Sequence, residues 1–492
     1  MIFSSVRFFI FLAITLAILG LISRRDLKKR FLAVASCFFY AAWDWRYLGL
    51  LLVISVIDYF CAIQISETNM RKRRKAWLIL SLVSNLGILG WFKYFNFFIE
   101  NANALLAQFG VSISHLDILL PAGISFYTFK TLSYTIDVYR KEIEPCRSWL
   151  DYATFITFFP ELIAGPIVRG SVFLPQMGRS IGPTKERLIV GFSIFLQGFT
   201  KKVFIADRLA TVADPIFANP GLYSSFSVWL GVVAYSIQIF CDFSGYSDMA
   251  IGVAKMIGYD LPENFNMPYL SASITEFWRR WHMTLSSWLK DYLYIPLGGN
   301  RKGRARTYIN LMLTMLLGGL WHGASWNFVL WGGAHGLALA GHKYWSVRKG
   351  GGAVLSPWMG WLLTQLFVTL AWVPFRASSF QVTETVFRKL FAVGGSGARW
   401  VPVWLFYCIP LVIFGHILGL SIEKARKDSS ACSVGLRIIK KLGWEVDSST
   451  IAGPYICGRR VTILGLYILF VWVLSIFYFA PTQTSPFIYF QF

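Results

Sequence analysis

Long runs of apolar residues, separated by short basic clusters, dominate the pattern along the chain. A helix that crosses a bilayer needs about 20 apolar residues. The runs that meet or approach this length near the two ends of the sequence are 8–23, 31–43, 48–66, 76–99, 119–138 and 461–480. The pattern predicts an all-α, polytopic membrane protein with about 10 to 12 transmembrane helices, supplemented by re-entrant and interfacial helices.

The basic clusters predict the orientation of these helices. Residues 24–30 and 71–75 each carry several Lys and Arg, and Arg140 with Lys141 follows a later apolar run. Cytoplasmic loops of membrane proteins are enriched in Lys and Arg. We therefore expect these clusters, and the polar stretch 422–460, to lie in the cytoplasm and both termini to lie outside.

Composition supports a membrane protein and excludes several other classes. Only 15% of the 492 residues are charged and 55% are hydrophobic, whereas about a quarter of the residues of a soluble domain are charged. Disordered proteins, disulfide-rich secreted folds and soluble nucleic-acid binders are excluded despite the net charge of +22. The seven cysteines show no C-x-x-C spacing, so no metal site is expected.

Two motifs place charges and helix breakers among apolar residues. Residues 158–169 hold two prolines, a glycine, Glu161 and Arg169, which fits a re-entrant or broken helix as well as an ordinary interfacial loop. Further along, Asp242 and Asp248 flank residues 243–247 between two apolar stretches. Carboxylates at membrane depth require partners. They could orient a catalytic group, but structural pairing with basic residues is the favoured interpretation.

Residues 276–294 have the pattern of an amphipathic helix. Its apolar stripe, at spacings of three and four, consists of Trp278, Trp281, Leu285, Trp288 and Tyr292. Seven Lys and Arg against one acid occur between 279 and 306. The segment could rest on anionic lipid, or it could form a cytoplasmic lip that attracts a polyanionic ligand. His282 borders the stripe and could point into the protein.

The next segment, Thr307 to His342, has 36 residues without Lys, Arg, Asp or Glu, and both of its flanks are basic. A single helix would be about 54 Å long, so we expect a hairpin that turns near residues 323–327. His322 would then lie about 24 Å beyond Arg306. A deep neutral histidine is a candidate general base, although from these residues alone a structural hydrogen bond to a neighbouring helix is the favoured interpretation. Structural roles are favoured for the other histidines apart from His282, which are His115, His335, His342 and His416.

With these motifs the chain resembles the membrane-bound O-acyltransferase (MBOAT) family, in the bacterial branch that acetylates alginate. No G-x-S-x-G, P-loop, H-E-x-x-H or H-x-x-x-x-D motif suggests another chemistry. The segments that carry the resemblance are 161–169 (ELIAGPIVR), 242–248 (DFSGYSD), 264–269 (NFNMPY), 277–299 (FWRRWHMTLSSWLKDYLYIPLGG), 320–336 (LWHGASWNFVLWGGAHG) and the two ends, MIFSS and FIYFQF.

The resemblance implies one membrane domain over 1–492, with N-terminal helices at 1–139, a catalytic core at 140–350 and C-terminal helices at 351–492. It implies helices around a central funnel. It assigns the general base to His322 and a second catalytic role to His282, which could stabilise the oxyanion, as could backbone N–H groups near Gly323. Candidate substrate- or donor-binding residues in or next to these motifs are Arg301, Lys302, Arg304, Arg306, Trp321, Asn327, Asp242 and Ser244.

The implied reaction moves an acetyl group from a cytoplasmic thioester across the membrane for the O-acetylation of an exported surface polysaccharide. The expected donor is acetyl-CoA, with an acyl-carrier thioester as the alternative, and no permanently bound cofactor is expected. The expected setting is the bacterial inner membrane, with membrane lipid, a periplasmic acetyl-transferring protein and exopolysaccharide machinery as partners. The alternatives are D-alanyl or other acyl transfer from a carrier protein to a cell-wall polymer, a transporter, and a scaffold subunit of a polysaccharide export complex.

Overall fold

A computed structural model describes residues 1–179, 182–350, 355–392, 396–427, 444–447, 455–458, 463–479 and 487–488. Within these residues the regular secondary structure is helical apart from one pair of four-residue strands and one isolated β-bridge, between Tyr223 and Ala398. Among the described helices, six are long and apolar enough to cross a membrane. The predicted class, an all-α polytopic membrane protein, is confirmed; the expected total of crossings stays a prediction.

The chain forms two compact units, of which the first comprises residues 1–192 and 250–262. Its helices are α1 (Val6–Leu21), α2 (Arg25–Ala41), α3 (Trp45–Glu67), α4 (Arg71–Leu89), α5 (Phe95–Leu106), α6 (Ile124–Arg140), α7 (Trp149–Thr157), α8 (Phe159–Leu162) and α9 (Gly170–Phe173). A wide π-helical turn, Gly90–Tyr94, joins α4 to α5. Each apolar run predicted in this part of the sequence contains a helix, although the helix does not always span the whole run.

The second unit comprises residues 193–249 and 263–492. Helices α10 (Lys185–Phe199) and α12 (Ser225–Ile257) have residues in both units, and the other helices of this unit are α11 (Asp207–Ala218), α13 (Ile274–Arg280), α14 (Met283–Leu289), α15 (Arg304–His322), α16 (Trp326–Arg348), α17 (Pro357–Arg376), α18 (Phe380–Phe391), α19 (Val403–Lys427) and α20 (Ile463–Phe479). Wide π turns at Thr200–Ala206 and Lys290–Tyr294 follow α10 and α14.

The motif at 158–169 is a broken helix buried within the first unit. Helix α7 ends where Phe158 leaves helical geometry, α8 is a single turn, and residues 166–169 have no regular structure. Every residue from 158 to 168 is buried. Glu161 forms a buried ion pair with Lys130 of α6, which compensates a charge in an apolar setting. The broken-helix interpretation is therefore the one that fits.

One prediction about local structure is wrong: residues 276–294 are not one helix, since α13 and α14 are separate. The structure adds detail to two other segments. The carboxylate motif 242–248 lies inside the continuous helix α12. The polar stretch 422–460 contains the end of α19 and two antiparallel strands, β1 (Trp444–Asp447) and β2 (Tyr455–Gly458); its other residues lie outside the described part of the chain.

Candidate active site

His322 is the last residue of α15, at the turn of a helical hairpin. Helix α15 ends there because Gly323 adopts an extended conformation, with φ −161° and ψ 150°, and α16 begins at Trp326. The hairpin predicted from the uncharged segment is confirmed, with its turn at residues 323–325. His322 is buried, and its ring lies 5.1 Å from that of Trp331 and 5.2 Å from that of Phe375.

Glycines bring the two helices of this hairpin into direct backbone contact. A Cβ atom at Gly319 would lie 2.3 Å from the carbonyl oxygen of Phe328, and one at Gly332 would lie 2.3 Å from that of Met315. No larger residue fits at either place without separating the helices. Close approach through small residues is the usual way in which membrane helices associate, and here it fixes the position of His322.

His282 lies at the break between α13 and α14. Its backbone has φ +43°, in the left-handed region, which is uncommon for a residue other than glycine. Two backbone hydrogen bonds bridge the break, from Met283 N–H to the carbonyl of Asn264 and from Asn266 N–H to the carbonyl of Arg280, both 2.9 Å long. The apolar stripe 278–292 gave no sign of this break, because its cause is a loop elsewhere in the sequence.

The side chain of His282 is fully buried at this junction. Its Nδ1 lies 3.1 Å from Oδ1 of Asn264, and its ring meets that of Phe243 edge-on at 4.7 Å. Burial lowers the pKa of His282 to about 3, so the imidazole is neutral. Sequence reasoning found His282 but missed Asn264, which stands in the 264–269 motif.

Trp321 links the two histidines. Its indole ring lies 6.3 Å from the His282 ring and 5.0 Å from the His322 ring, between centroids. The structure therefore gathers three of the predicted site residues, His282, Trp321 and His322, into one buried aromatic cluster. An apolar cluster of this kind excludes water and strengthens electrostatic interactions with a reacting group.

The carboxylates of α12 are engaged in ion pairs. Asp242 lies 2.5 Å from Nζ of Lys202 and accepts a hydrogen bond from the backbone N–H of Ile488. Lys202 also lies 2.8 Å from Asp207, and Lys201 pairs with Asp248 at 2.6 Å. The prediction of structural pairing is confirmed for both carboxylates. Ser244, predicted as a ligand contact, is completely buried in the same helix.

The remaining predicted ligand-binding residues are not grouped with the histidines. Asn327 ties α16 to the chain after α17, because its amide donates to the carbonyl of Ala377 at 3.0 Å. Four basic residues lie exposed on the turn before α15 and on its first turn: Arg301, Lys302, Arg304 and Arg306. None of these four is among the lining residues of the large groove described next.

A large open groove lies beside the histidine cluster. It measures about 1180 Å³ and is lined by residues of α13 to α17 and of the segments between them, among them Trp278, Arg279, Met283, Lys290, Met315 and Lys343. Its acidic lining residue, Glu276, is paired with Arg280, and we call it the cationic groove because Arg279, Lys290 and Lys343 make its lining positively charged. Part of its wall belongs to the segment 276–294, for which the sequence suggested attraction of a polyanionic ligand, but its extension over α15 to α17 was not predicted.

Tryptophans separate the cationic groove from His322. Trp278, in the groove wall, donates a hydrogen bond from its indole N–H to Nδ1 of His335 at 3.2 Å. Its ring lies 5.8 Å from that of Trp331, which in turn contacts His322. His335 therefore has the structural role predicted for it. On the other side of the break, Met283 lines the groove and directly follows His282.

Comparison with known proteins identifies this arrangement. The sequence model of the membrane-bound O-acyltransferase family matches residues 146–375, a range that includes both histidines. A probable alginate O-acetylase of Pseudomonas aeruginosa is 45% identical over 401 residues, covering 80% of this chain and 75% of the relative. The chain belongs to the membrane-bound O-acyltransferase family. It is therefore an O-acyltransferase and a multi-pass membrane protein.

Two further relatives extend the comparison. A probable alginate O-acetylase of Pseudomonas putida is 40% identical over 514 residues and covers 100% of both chains. A peptidoglycan O-acetyltransferase of Helicobacter pylori is 40% identical over 394 residues, covering 75% of this chain and 74% of the relative. These relatives thus include proteins named for two different polymers.

Proposed function

We propose that this O-acyltransferase is an O-acetyltransferase, which moves an acetyl group from a thioester to a hydroxyl for the modification of an exported polysaccharide. The observation that carries the proposal is the buried cluster of His282, Trp321 and His322 beside the cationic groove. The names of the alginate and peptidoglycan O-acetylating relatives support the acetyl group and the polymer.

His322 is the general base of the proposed reaction. Its imidazole takes the proton from the acceptor hydroxyl while the oxygen attacks the thioester carbonyl. The new O–C bond forms, the C–S bond breaks, and the proton passes from the imidazolium to the leaving thiolate. Burial among Trp331 and Phe375 supports this role, because a base that is shielded from water transfers its proton to the reactants.

The cationic groove binds the thioester donor in this proposal. Acetyl-CoA carries phosphate groups that Arg279, Lys290 and Lys343 can neutralise, and the apolar wall formed by Met283 and Met315 suits the donor's uncharged arm. The exposed residues Arg301, Lys302, Arg304 and Arg306, which the sequence suggested for donor binding, attract the negatively charged donor over a longer distance. An acyl-carrier protein is also acidic and presents the same kind of arm, so it is the second donor to test.

The direction of transfer follows from the predicted orientation. Basic loops lie in the cytoplasm of a bacterial inner membrane, the termini lie outside, and the acetyl group passes to a periplasmic acetyl-transferring protein of an exopolysaccharide or cell-wall system. The charge pattern of the sequence supports this orientation.

Release of thiol separates the proposed enzyme from the other candidate functions. Purified protein is incubated with acetyl-CoA and an acceptor that carries hydroxyl groups, and free thiol and acetyl ester on the acceptor are both measured; a parallel reaction uses a D-alanyl carrier thioester. We expect thiol and acetyl ester in equal amounts. Donor binding without thioester cleavage would indicate a transporter. Transfer of D-alanine alone would identify D-alanyl, and not acetyl, as the acyl group that the enzyme transfers.

Neutralising the groove is expected to weaken donor binding. The double substitution Arg279→Gln with Lys290→Gln should raise the KM for acetyl-CoA by roughly tenfold with little change in kcat, because charge-assisted contacts to phosphate are lost. The matched control, Arg301→Gln with Lys302→Gln, removes two exposed charges outside the groove and should change KM less than about threefold at physiological salt. Equal effects of the two pairs would contradict the placement of the donor.

A further inference from the structure

The hydrogen bonds around Asn264 determine how His282 carries its proton. The side-chain oxygen of Asn264 lies 3.3 Å from the backbone N–H of Thr284 and accepts from the Thr284 hydroxyl at 2.9 Å. A backbone N–H can only donate, so this end of the amide is the oxygen. The amide nitrogen then faces Oγ of Ser247 at 3.1 Å, which is a good acceptor.

The orientation of this amide fixes the tautomer of His282. Nδ1 of His282 lies 3.1 Å from the same oxygen of Asn264, and two acceptors cannot share a hydrogen bond. Nδ1 therefore carries the proton. In a neutral imidazole Nε2 then has a lone pair and no hydrogen.

Nε2 of His282 is the atom that this tautomer leaves for a ligand. It is buried and has no hydrogen-bond partner within the described part of the chain, whereas buried polar atoms are as a rule hydrogen-bonded. Two of the rings around the imidazole, Phe243 and Phe265, have no N–H or O–H group that could donate to it.

We propose that Asn264 is a positioning residue, which holds His282 as the Nδ1-protonated tautomer so that Nε2 accepts a hydrogen bond from an N–H or O–H group of the bound substrate. The pantetheine arm of a thioester donor carries amide N–H groups of this kind. The single N–H group of His282 in this state donates to Asn264 and is not available to an oxyanion. The role in oxyanion stabilisation that the sequence suggested for His282 therefore falls to other donors, such as backbone N–H groups near Gly323.

The same residue also holds the backbone that presents His282. The carbonyl of Asn264 accepts from Met283 N–H, and this contact lies next to the left-handed residue. One asparagine thus fixes both the position of the ring and the nitrogen that bears its proton. In metal sites, histidines are oriented in the same way by the residues to which their other ring nitrogen is hydrogen-bonded.

Nitrogen NMR tests the tautomer directly and without any substrate. The full-length protein is labelled with 15N-histidine, and the signals of His282 are assigned by their loss in His282→Asn. We expect a protonated Nδ1 and an unprotonated Nε2 in the wild-type protein, and a shift toward the other tautomer in Asn264→Ala. A protonated Nε2 in the wild type would overturn the proposal.

The kinetic test rests on the proposed acyl transfer, and it separates positioning from a general loss of structure. Asn264→Ala should slow acetyl transfer about tenfold, whereas in a His282→Ala background it should have no further effect. Asn264→Asp, which keeps an oxygen toward His282, should recover part of the rate. The matched control Ser247→Ala removes the other hydrogen bond of the amide and should leave the rate within about twofold.

Two outcomes of these experiments are informative in different ways. If Asn264→Ala slows the reaction equally with and without His282, Asn264 does not act through His282 and the proposal fails. If the wild-type protein releases no thiol from any donor, the proposed function fails, but the NMR result still stands on its own.

Discussion

Replacing His322 by alanine should abolish acyl transfer while the protein continues to accumulate in the membrane. General base catalysis by a placed histidine contributes about 10²- to 10⁴-fold in rate, and His322 is the imidazole at the centre of the aromatic cluster. The measurement is thiol release from acetyl-CoA together with acetyl ester formed on polymer, at matched protein levels.

His335 provides the matched control for this experiment. It is also a buried histidine of the same hairpin, but it accepts a hydrogen bond from Trp278. His335→Asn should therefore retain substantial activity. Any decrease in its activity should be accompanied by a decrease in the stability of the protein. Near-normal acetylation by His322→Ala would remove His322 from the mechanism, whatever the control shows.

Replacing Lys202 by methionine should strongly destabilise the protein. Lys202 is buried between Asp207 and Asp242, and removing one partner of a buried ion pair costs about 3–5 kcal/mol. Two carboxylates would remain close together without a counter-charge. The midpoint of thermal unfolding in detergent, measured by intrinsic fluorescence, should fall clearly.

The neighbouring pair offers a direct comparison for Lys202. The side chain of Lys201 is 34% exposed in its pair with Asp248. Water can therefore solvate the Asp248 carboxylate after Lys201→Met removes the ammonium group. We expect a loss of about 1 kcal/mol or less from this variant. Equal unfolding midpoints for the two variants would show that the folded protein does not need the charge of Lys202 to accommodate Asp207 and Asp242.

The features that could be predicted from the sequence are those that depend on local pattern. The hairpin of α15 and α16 followed from 36 uncharged residues between basic flanks, and the pairing of Asp242 and Asp248 followed from the cost of a charge at membrane depth. Both inferences needed only the neighbouring sequence and the physics of the bilayer.

The features that could not be predicted depend on distant parts of the chain. The break at His282 is stabilised by Asn264 and Asn266, a loop that replaces helical hydrogen bonds, so the regular stripe from Trp278 to Tyr292 was misleading. The cationic groove is lined by residues of five helices, and no single segment contains enough of these residues to predict it. Tertiary contacts of this kind override local propensity.

The glycine contacts between α15 and α16 have a consequence for the order of assembly. Contacts between residues close in sequence form early, because little chain entropy is lost in closing the loop. Gly319 and Gly332 lie on either side of a three-residue turn, so the hairpin can close before the helices around it have packed. His322 would then reach its final backbone geometry early, and the later helices would add the aromatic walls around an imidazole already in place.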